Sequence, residues 1–436
     1  MVLAMALRNL GQLGIIQGGI LSNEINVATL GLLWNHFDEL ASFFVDIAEC
    51  FKCYAPASSL DGKAAPGDLH GRYNELDMSQ PMNRHAIACQ IQRLVRSVIF
   101  ILKNMATPIK FDEIEMGEET VLKSDGDCRS GTLLEVRPSG WQRVINPSRI
   151  QEQSWVRLSN SSGAPAEKFC PNAKVPDEPP KVRGEKWLFV NGIATELFWL
   201  HLACKKLANK YSREITGVFN RGDGILWDLI ECAGERNVGG TASASSQRKL
   251  IQRTRSSRRA QAELKEQLRV ALTQAGGKHY EHIVVIAHSQ GCLLLRLALG
   301  ELIASDSNDA VDIRRTMLER LCVFTFGNPS VDWKLDWDSD RPIIERLNNS
   351  KQSGDGADLT FLSSHVLCTE HFANETDFVA KLGVMSKPAK ERSSGYDRKA
   401  VFVNSEQDWI GHVFGTQYSK HSKRRRRTRR GVLRLQ

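Results

Sequence analysis

The run Ile283-Val-Val-Ile-Ala-His-Ser-Gln-Gly-Cys292 joins an apolar segment to a serine flanked by small residues, and Leu293, Leu294, Leu295 and Leu297 follow at once. Strand, sharp turn, helix is the context in which a nucleophile elbow is built. Ala287 and Gly291, two before and two after Ser289, supply the small side chains needed where strand and helix run close together. Such a turn exposes the serine Oγ. It also aims the following helix N-terminus, with its unpaired N–H groups and positive dipole end, at the reacting centre. The chemistry on offer is nucleophilic attack by an activated hydroxyl.

A turn of this kind must be held by a sheet, and the second half of the chain reads as one. From Lys186 onward short apolar runs alternate with helical stretches, the pattern of βαβ units and a parallel sheet. The runs are Trp187–Val190, Ile215–Phe219, Ile283–Ile286, Cys322–Phe326, His365–Cys368 and Ala400–Val403. Helices are expected over Thr195–Tyr211, Ile225–Glu235, Ala260–Ala275, Gly291–Ile303 and Ala310–Leu321. Residues 237–259, Gly/Ser-rich and then Arg-rich, interrupt the rhythm as a solvated insertion. Asn220-Arg221-Gly222-Asp223-Gly224 is glycine-rich but lacks the spacing of a dinucleotide or phosphate loop.

Ahead of this region the chain is helical. Leu30, Leu33, Phe37, Leu40, Phe44, Ile47, Phe51 and Tyr54 mark one amphipathic helix, and Ile87, Ile91, Leu94, Val95, Val98, Ile99, Leu102 and Met105 a second, ended by Pro108. Packing onto the main domain is the first expectation for this pair, and a lid or peripheral membrane contact the second. Residues 55–84 read as a loop. The division expected is an N-terminal helical extension (1–110), an irregular linker region with short strands such as Gly131–Val136 and Thr120–Lys123 (111–184), a catalytic domain (185–419) and a basic disordered tail (420–436).

Composition is that of a globular chain. Of 436 residues, 42% are hydrophobic and 25% charged, which excludes collagenous, coiled-coil and wholly disordered classes. The net charge of +8 belongs to the tail, where Lys420, Lys423, Arg424 to Arg427, Arg429, Arg430 and Arg434 stand without an acid. This tail reads as solvated, with a nuclear signal as the alternative. No nucleic-acid partner is expected, since no aromatics interleave the arginines. The ten cysteines form no framework. Cys50 and Cys53 lack the partner pair a zinc site requires, while Cys292, Cys322 and Cys368 read as core residues. With no export signal and no apolar run of membrane-spanning length, the expectation is an intracellular, cytoplasmic protein.

From about Lys186 to Ser419 the chain resembles an α/β-hydrolase of the lipase/serine-esterase kind, similar to the loosely defined lipase-like hydrolases of fungi. The resemblance implies an α/β fold with a mostly parallel twisted sheet flanked by helices, and no metal or organic cofactor. It also implies that a histidine and a carboxylate follow Ser289, in the order serine, acid, histidine. His412, in Trp409-Ile-Gly-His-Val-Phe-Gly-Thr-Gln-Tyr418, lies shortly after the last strand, where the base of such enzymes sits. His421 falls in the basic tail, and His365 and His371 flank the preceding strand as packing residues. For the acid, Asn374-Glu-Thr-Asp377-Phe-Val379 resembles the acid loop of lipases. Asp377 is the expected acid and Glu375 its nearest rival, and Asp377 also suits a helix cap at Phe378. Asp332, Asp336 and Asp338 are further alternatives, just beyond Gly327-Asn328-Pro329, which resembles a turn seen in lipases.

The oxyanion donors implied are the backbone N–H of Gln290 and that of Ile193, in Asn191-Gly192-Ile193-Ala194-Thr195 after the first parallel strand. This family often has His where Asn191 stands; a plain turn with Thr195 as helix cap is the other reading. Trp199, Trp227, Phe198 and Trp409 are candidate acyl-pocket walls. The function expected is serine-dependent hydrolysis of a carboxylic ester, lipid esters included, with thioester, amide and acyl-transfer chemistry sharing the same constellation. The alternative from another class is a catalytically silent hydrolase-fold protein that binds a membrane or a partner.

Overall fold

A computed structural model describes residues 75, 81–106, 129–138, 141–145, 156–157, 184–236, 254–273, 280–335, 358–405 and 411–418. Helix α1 (Pro81–Ala106) comes first, followed by β1 (Leu133–Val136), β2 (Trp141–Ile145), β3 (Val156–Arg157) and β4 (Glu185–Val190). Next are α2 (Leu197–Tyr211), β5 (Ile215–Val218), α3 (Ile225–Glu235) and α4 (Arg255–Leu272). Then come β6 (His282–His288), α5 (Gln290–Ala304), α6 (Ala310–Arg320) and β7 (Leu321–Phe326). β8 (Cys368–Asn374), α7 (Phe378–Leu382), β9 (Val401–Asn404) and a wide helical turn at Phe414–Tyr418 complete the chain order.

The strands form one nine-stranded sheet in the order β3-β2-β1-β5-β4-β6-β7-β8-β9. β4 to β9 are parallel, while β1, β2 and β3 add an antiparallel edge beyond β5. This is the α/β-hydrolase architecture expected. Its sheet also draws on residues 133–157, within the stretch read as an irregular linker region.

The apolar runs are continuous because both faces of the central strands are covered. Period-2 alternation sends Leu188, Val190, Ile283, Val285, Leu321 and Val323 into one core, alongside residues of α4, α5 and α6. Trp187, Phe189, Val284, Ile286, Cys322 and Phe324 face the other, beneath α2. The chain turns away from β4 towards β5 on one side and returns to β6 on the other. That crossing makes the carboxyl end of this strand pair the switch point at which sheets of this class bind ligands.

Several expected boundaries shift. α2 starts at Leu197, so its cap is Glu196 rather than Thr195, and the Glu196 side chain instead accepts from Gln90 and Arg93 of α1. Residues 255–259, read as part of the insertion, open α4, where Ser256 and Ser257 are buried. Residues 81–84, read as loop, begin α1. His365 stands in a short turn, and the strand placed at His365–Cys368 runs instead from Cys368 to Asn374. The helix expected over residues 30–54, the strand expected at Thr120–Lys123, Cys50 and Cys53, Asp336, Asp338, Trp409, His421 and the basic tail lie outside the described residues.

α1 packs onto α2 and α3. Arg93 forms a 2.9 Å ion pair with Glu196 and donates to the Arg221 carbonyl, Ser97 donates to the Asp223 carbonyl, and Trp199 donates to Asn83. Gly224, at φ 109°, lies where any Cβ would strike the Arg93 backbone. Ile91, Val95 and Ile99 of α1, one helical turn apart, are exposed. No described helix is long and apolar enough to cross a membrane.

Candidate active site

The residues singled out from sequence follow the carboxyl ends of the parallel strands β4, β6, β8 and β9. Ser289 follows β6 with φ 55° and ψ −128°, a left-handed conformation that a serine rarely adopts. Its amide still donates to Phe326 at 2.9 Å, so the sheet ladder runs into the turn before α5 departs. Gly291 has its expected cause, since a Cβ there would lie 2.7 Å from the Asn191 carbonyl oxygen and 2.8 Å from that of Val190. Strain of this kind persists only where the surroundings over-determine it, and here β6, β7 and α5 do so.

Asp377 and His412 come together. Nδ1 of His412 lies 2.9 Å from both carboxylate oxygens of Asp377, and both residues are buried. Asp377 also caps α7, accepting from the Val379 amide at 2.8 Å, so the expected helix cap coexists with its contact to His412. Tyr418 donates its hydroxyl hydrogen to Oδ2. Burial pushes the Asp377 carboxyl up, but the charge of His412 and the hydrogen bonds from His412 and Tyr418 outweigh it and hold the group below its ordinary value. With Nδ1–H committed to the carboxylate, the basic lone pair of the neutral ring is on Nε2.

Gly327, after β7, underlies this pair. Its φ is 57°, and a Cβ would stand 2.7 Å from Asp377 Oδ2 and 2.9 Å from His412 Cε1. The rival acids are placed elsewhere. Glu375 is exposed, and Asp332 is buried in a 3.0 Å ion pair with Arg296. His371 shares a 2.6 Å hydrogen bond with Thr325, and His365 bonds the Leu359 carbonyl, both as packing residues.

No hydrogen bond joins Ser289 to His412. Ser289 Oγ is buried and accepts or donates none among the described residues. Gly192 covers the serine, with its hypothetical Cβ 2.9 Å from Oγ. Catalytic hydrogen bonds are often long in free enzymes and tighten when substrate binds.

The loop bearing Ile193 is held by Asn191 together with Asn220 and Asp228, to which sequence reasoning gave no role in the site. Asn191 accepts from the Asn220 amide at 2.8 Å and donates to the Asn220 and Gly192 carbonyls. Asp228, fully buried, accepts from the Ala194 amide at 3.0 Å and the Asp223 amide at 2.8 Å. Ala194 turns at φ 51° to make this possible. Burial, with repulsion from Asp223, pushes the Asp228 carboxyl up to about 7 despite these two N–H donors. Gln290, whose amide opens α5, is anchored through its side chain to Asn220 at 2.7 Å and Glu231 at 2.5 Å. Burial and the neighbouring Asp228 push the Glu231 carboxyl well above its ordinary value.

His288 was also missed. Its Nε2 lies 2.7 Å from the His412 carbonyl oxygen, and the two rings are 4.6 Å apart. Burial and the adjacent His412 push it down to about 3, so it is a neutral ring that donates to the loop carrying the base. The sequence signal available was an imidazole directly preceding the serine.

A cavity of about 280 Å³ opens beside these groups. It is lined by His288, His412, Asn191 and Ile193 together with Ile87, Leu94 and Trp199. Of the four aromatics proposed as pocket walls, Trp199 lines it, whereas Trp227 is buried against Glu231 and Thr254. Phe198 is not part of this lining. Among the described residues no cluster of three or more His, Cys, Asp or Glu side chains is arranged to hold a metal.

No family model matches the chain, and no curated protein matches it. Solved structures of esterase B from Lactobacillus rhamnosis are similar to it at 12–15% identity, covering 54–55% of this chain and 70–72% of the other, with a TM-score of 0.28. One of them is described as inhibited by a tributyrin phosphonate. Likeness at that level carries no inference about this site.

Proposed function

We propose that the protein is a serine hydrolase that cleaves a carboxylic ester through an acyl-enzyme, with Ser289 as nucleophile, His412 as base and Asp377 as the orienting acid. The observation that carries the reading is the buried Asp377–His412 pair, built after β8 and β9 beside the strained serine turn after β6. Ser289 Oγ attacks the carbonyl carbon and His412 Nε2 takes its proton. The oxyanion bonds the amides of Gln290 and Ile193. Collapse breaks the ester C–O bond, and His412 returns the proton to the departing alkoxide, which leaves as an alcohol. Water then attacks the acyl-enzyme, giving its proton to His412, and the carboxylic acid leaves as Ser289 recovers its hydrogen. Asp377 stays ionised throughout and stabilises the imidazolium.

The apolar cavity favours an ester over a charged substrate, and a lipase-like kinship with fungal hydrolases belongs to this same reading. The test is labelling of purified protein with a fluorophosphonate probe, beside Ser289→Ala and His412→Ala. Labelling lost in both variants is expected. Folded protein that never labels would favour the second reading, a silent hydrolase-fold module, for which the exposed stripe Ile91, Val95 and Ile99 offers an apolar contact surface.

A further inference from the structure

Asn220 opens the turn Asn220-Arg221-Gly222-Asp223-Gly224 after β5, a glycine-rich run to which the proposed chemistry gives no part. Both segments proposed to carry the oxyanion amides are bonded to it. On one side its backbone amide donates to Asn191 Oδ1 at 2.8 Å, and its carbonyl accepts from Asn191 Nδ2. On the other, its side-chain Nδ2 donates to Gln290 Oε1 at 2.7 Å. In the sheet β4 stands between β5 and β6, so this side chain reaches across the carboxyl end of β4 to the segment that follows β6. The same turn takes a second hold on the 191–194 loop through Asp228, which accepts from the Asp223 and Ala194 amides together. Gly222, at φ 66°, makes room for that carboxylate, which a Cβ there would strike.

Where the two segments meet directly they present glycine, Gly192 against Ser289 and Gly291 against the Asn191 carbonyl, so no side chain at those points holds them in register. The bond to Gln290 also has a cost. Asn220 is fully buried, and its Oδ1 meets no donor among the described residues, an arrangement that folded proteins avoid. A leucine of similar size would remove the unmatched oxygen. What it could not do is donate to Gln290.

We infer that Asn220 is a positioning residue that sets the separation of the Ile193 and Gln290 amides. Donors stabilise an oxyanion when they lie about 2.7–3.1 Å from the place it will occupy, so their separation governs the rate more than substrate binding. The effect on rate rests on the serine-hydrolase reading; the clamp itself does not. Two measurements on Asn220→Ala test it. In hydrolysis of a p-nitrophenyl ester, kcat should fall about tenfold to a hundredfold while KM changes less than about twofold. Affinity for an alkyl boronic acid, which forms a tetrahedral adduct on Ser289, should fall by a similar factor. In protein isotope-labelled at isoleucine and glutamine nitrogens, the Ile193 and Gln290 amide resonances should both shift, although the replaced side chain bonds only to Gln290. If the alanine variant does not fold, Asn220→Leu, which keeps the volume, carries the same expectations. An unchanged kcat, a loss confined to KM, or an unmoved Ile193 resonance beside a shifted Gln290 overturns the inference. Wild-type protein that neither labels with the fluorophosphonate nor turns over overturns the hydrolase reading instead, and the two resonances still decide the clamp.

Discussion

Tyr418 donates to Oδ2 of Asp377, one of the two carboxylate oxygens that lie 2.9 Å from His412 Nδ1, and it does so from the turn that follows the histidine. The acid is therefore fixed by both ends of one short segment and by the α7 amide it caps. Burial pushes the Tyr418 phenol far above its ordinary value, and the Asp377 charge adds to this, so the hydroxyl remains a donor at any working pH.

Tyr418→Phe removes one donor from a buried carboxylate. Hydrogen bonds to charged groups contribute about 1.5–3 kcal/mol, and a loss in that range is expected in urea unfolding near pH 7. Because Asp377 lies below its ordinary value in the folded state, its contribution is full above the ordinary carboxylate range and lost as pH falls through the folded value. The variant, with a carboxyl held down less firmly, should lose stability at a higher pH on acidification. An unchanged acid limb would contradict this.

Asp377→Asn should preserve the fold but present the wrong hydrogen-bond pattern to His412 Nδ1. A fall of about 10⁴ in kcat for ester hydrolysis is expected, the scale of loss when such a carboxylate is neutralised. Glu375→Gln, at an exposed position, should change kcat less than about twofold. The reverse ranking would transfer the acid role to Glu375.

Gly327→Ala places a methyl group 2.7 Å from Asp377 Oδ2 at a φ of 57°. The pair above it must move, and misplacement by about 1 Å can cost about 10² in rate. Steady-state kinetics beside a thermal unfolding curve separate loss of the pair from loss of the fold. A variant with wild-type kcat would show that the Asp377–His412 geometry is not needed.

Asp228 gives a pH signature of the opposite sign. Its carboxyl is held up to about 7, whereas an unfolded aspartate titrates near about 3.9. Between those values the folded protein retains a proton that the unfolded chain has released. The group's contribution is therefore full below the lower value and lost as pH rises through the higher one. Asp228→Asn should flatten that decline in unfolding measurements from pH 4 to 8. It should also loosen the Ala194 turn and lower kcat, by up to the 10²–10³ that removal of an oxyanion donor costs.

The serine turn was readable because its demands are local. A buried strand, two small residues and a leucine-rich helix stand side by side in the chain, and Gly291 is required by carbonyls of the neighbouring strand. Asp377 was readable because a helix cap and an acid loop ask for the same residue type at the same place. β8 was misplaced because a continuous apolar run was sought, and Val366 and Leu367 supplied one. The true strand, Cys-Thr-Glu-His-Phe-Ala-Asn, lies next to the edge strand β9, where one face is less covered and polar residues are admitted. Asp228, Asn220 and Glu75 left no such trace, since their partners in the site lie far away along the chain and only the folded sheet brings them together.

Helix α1 and Glu75 wall the cavity from the N-terminal side of the chain, whereas Ser289, Asp377 and His412 all come from its C-terminal half. The cavity wall is thus shared between that N-terminal stretch and the segments around Phe189, Trp199 and Phe414. Ile87, Gln90 and Leu94 shape that wall from a helix that carries none of Ser289, Asp377 and His412.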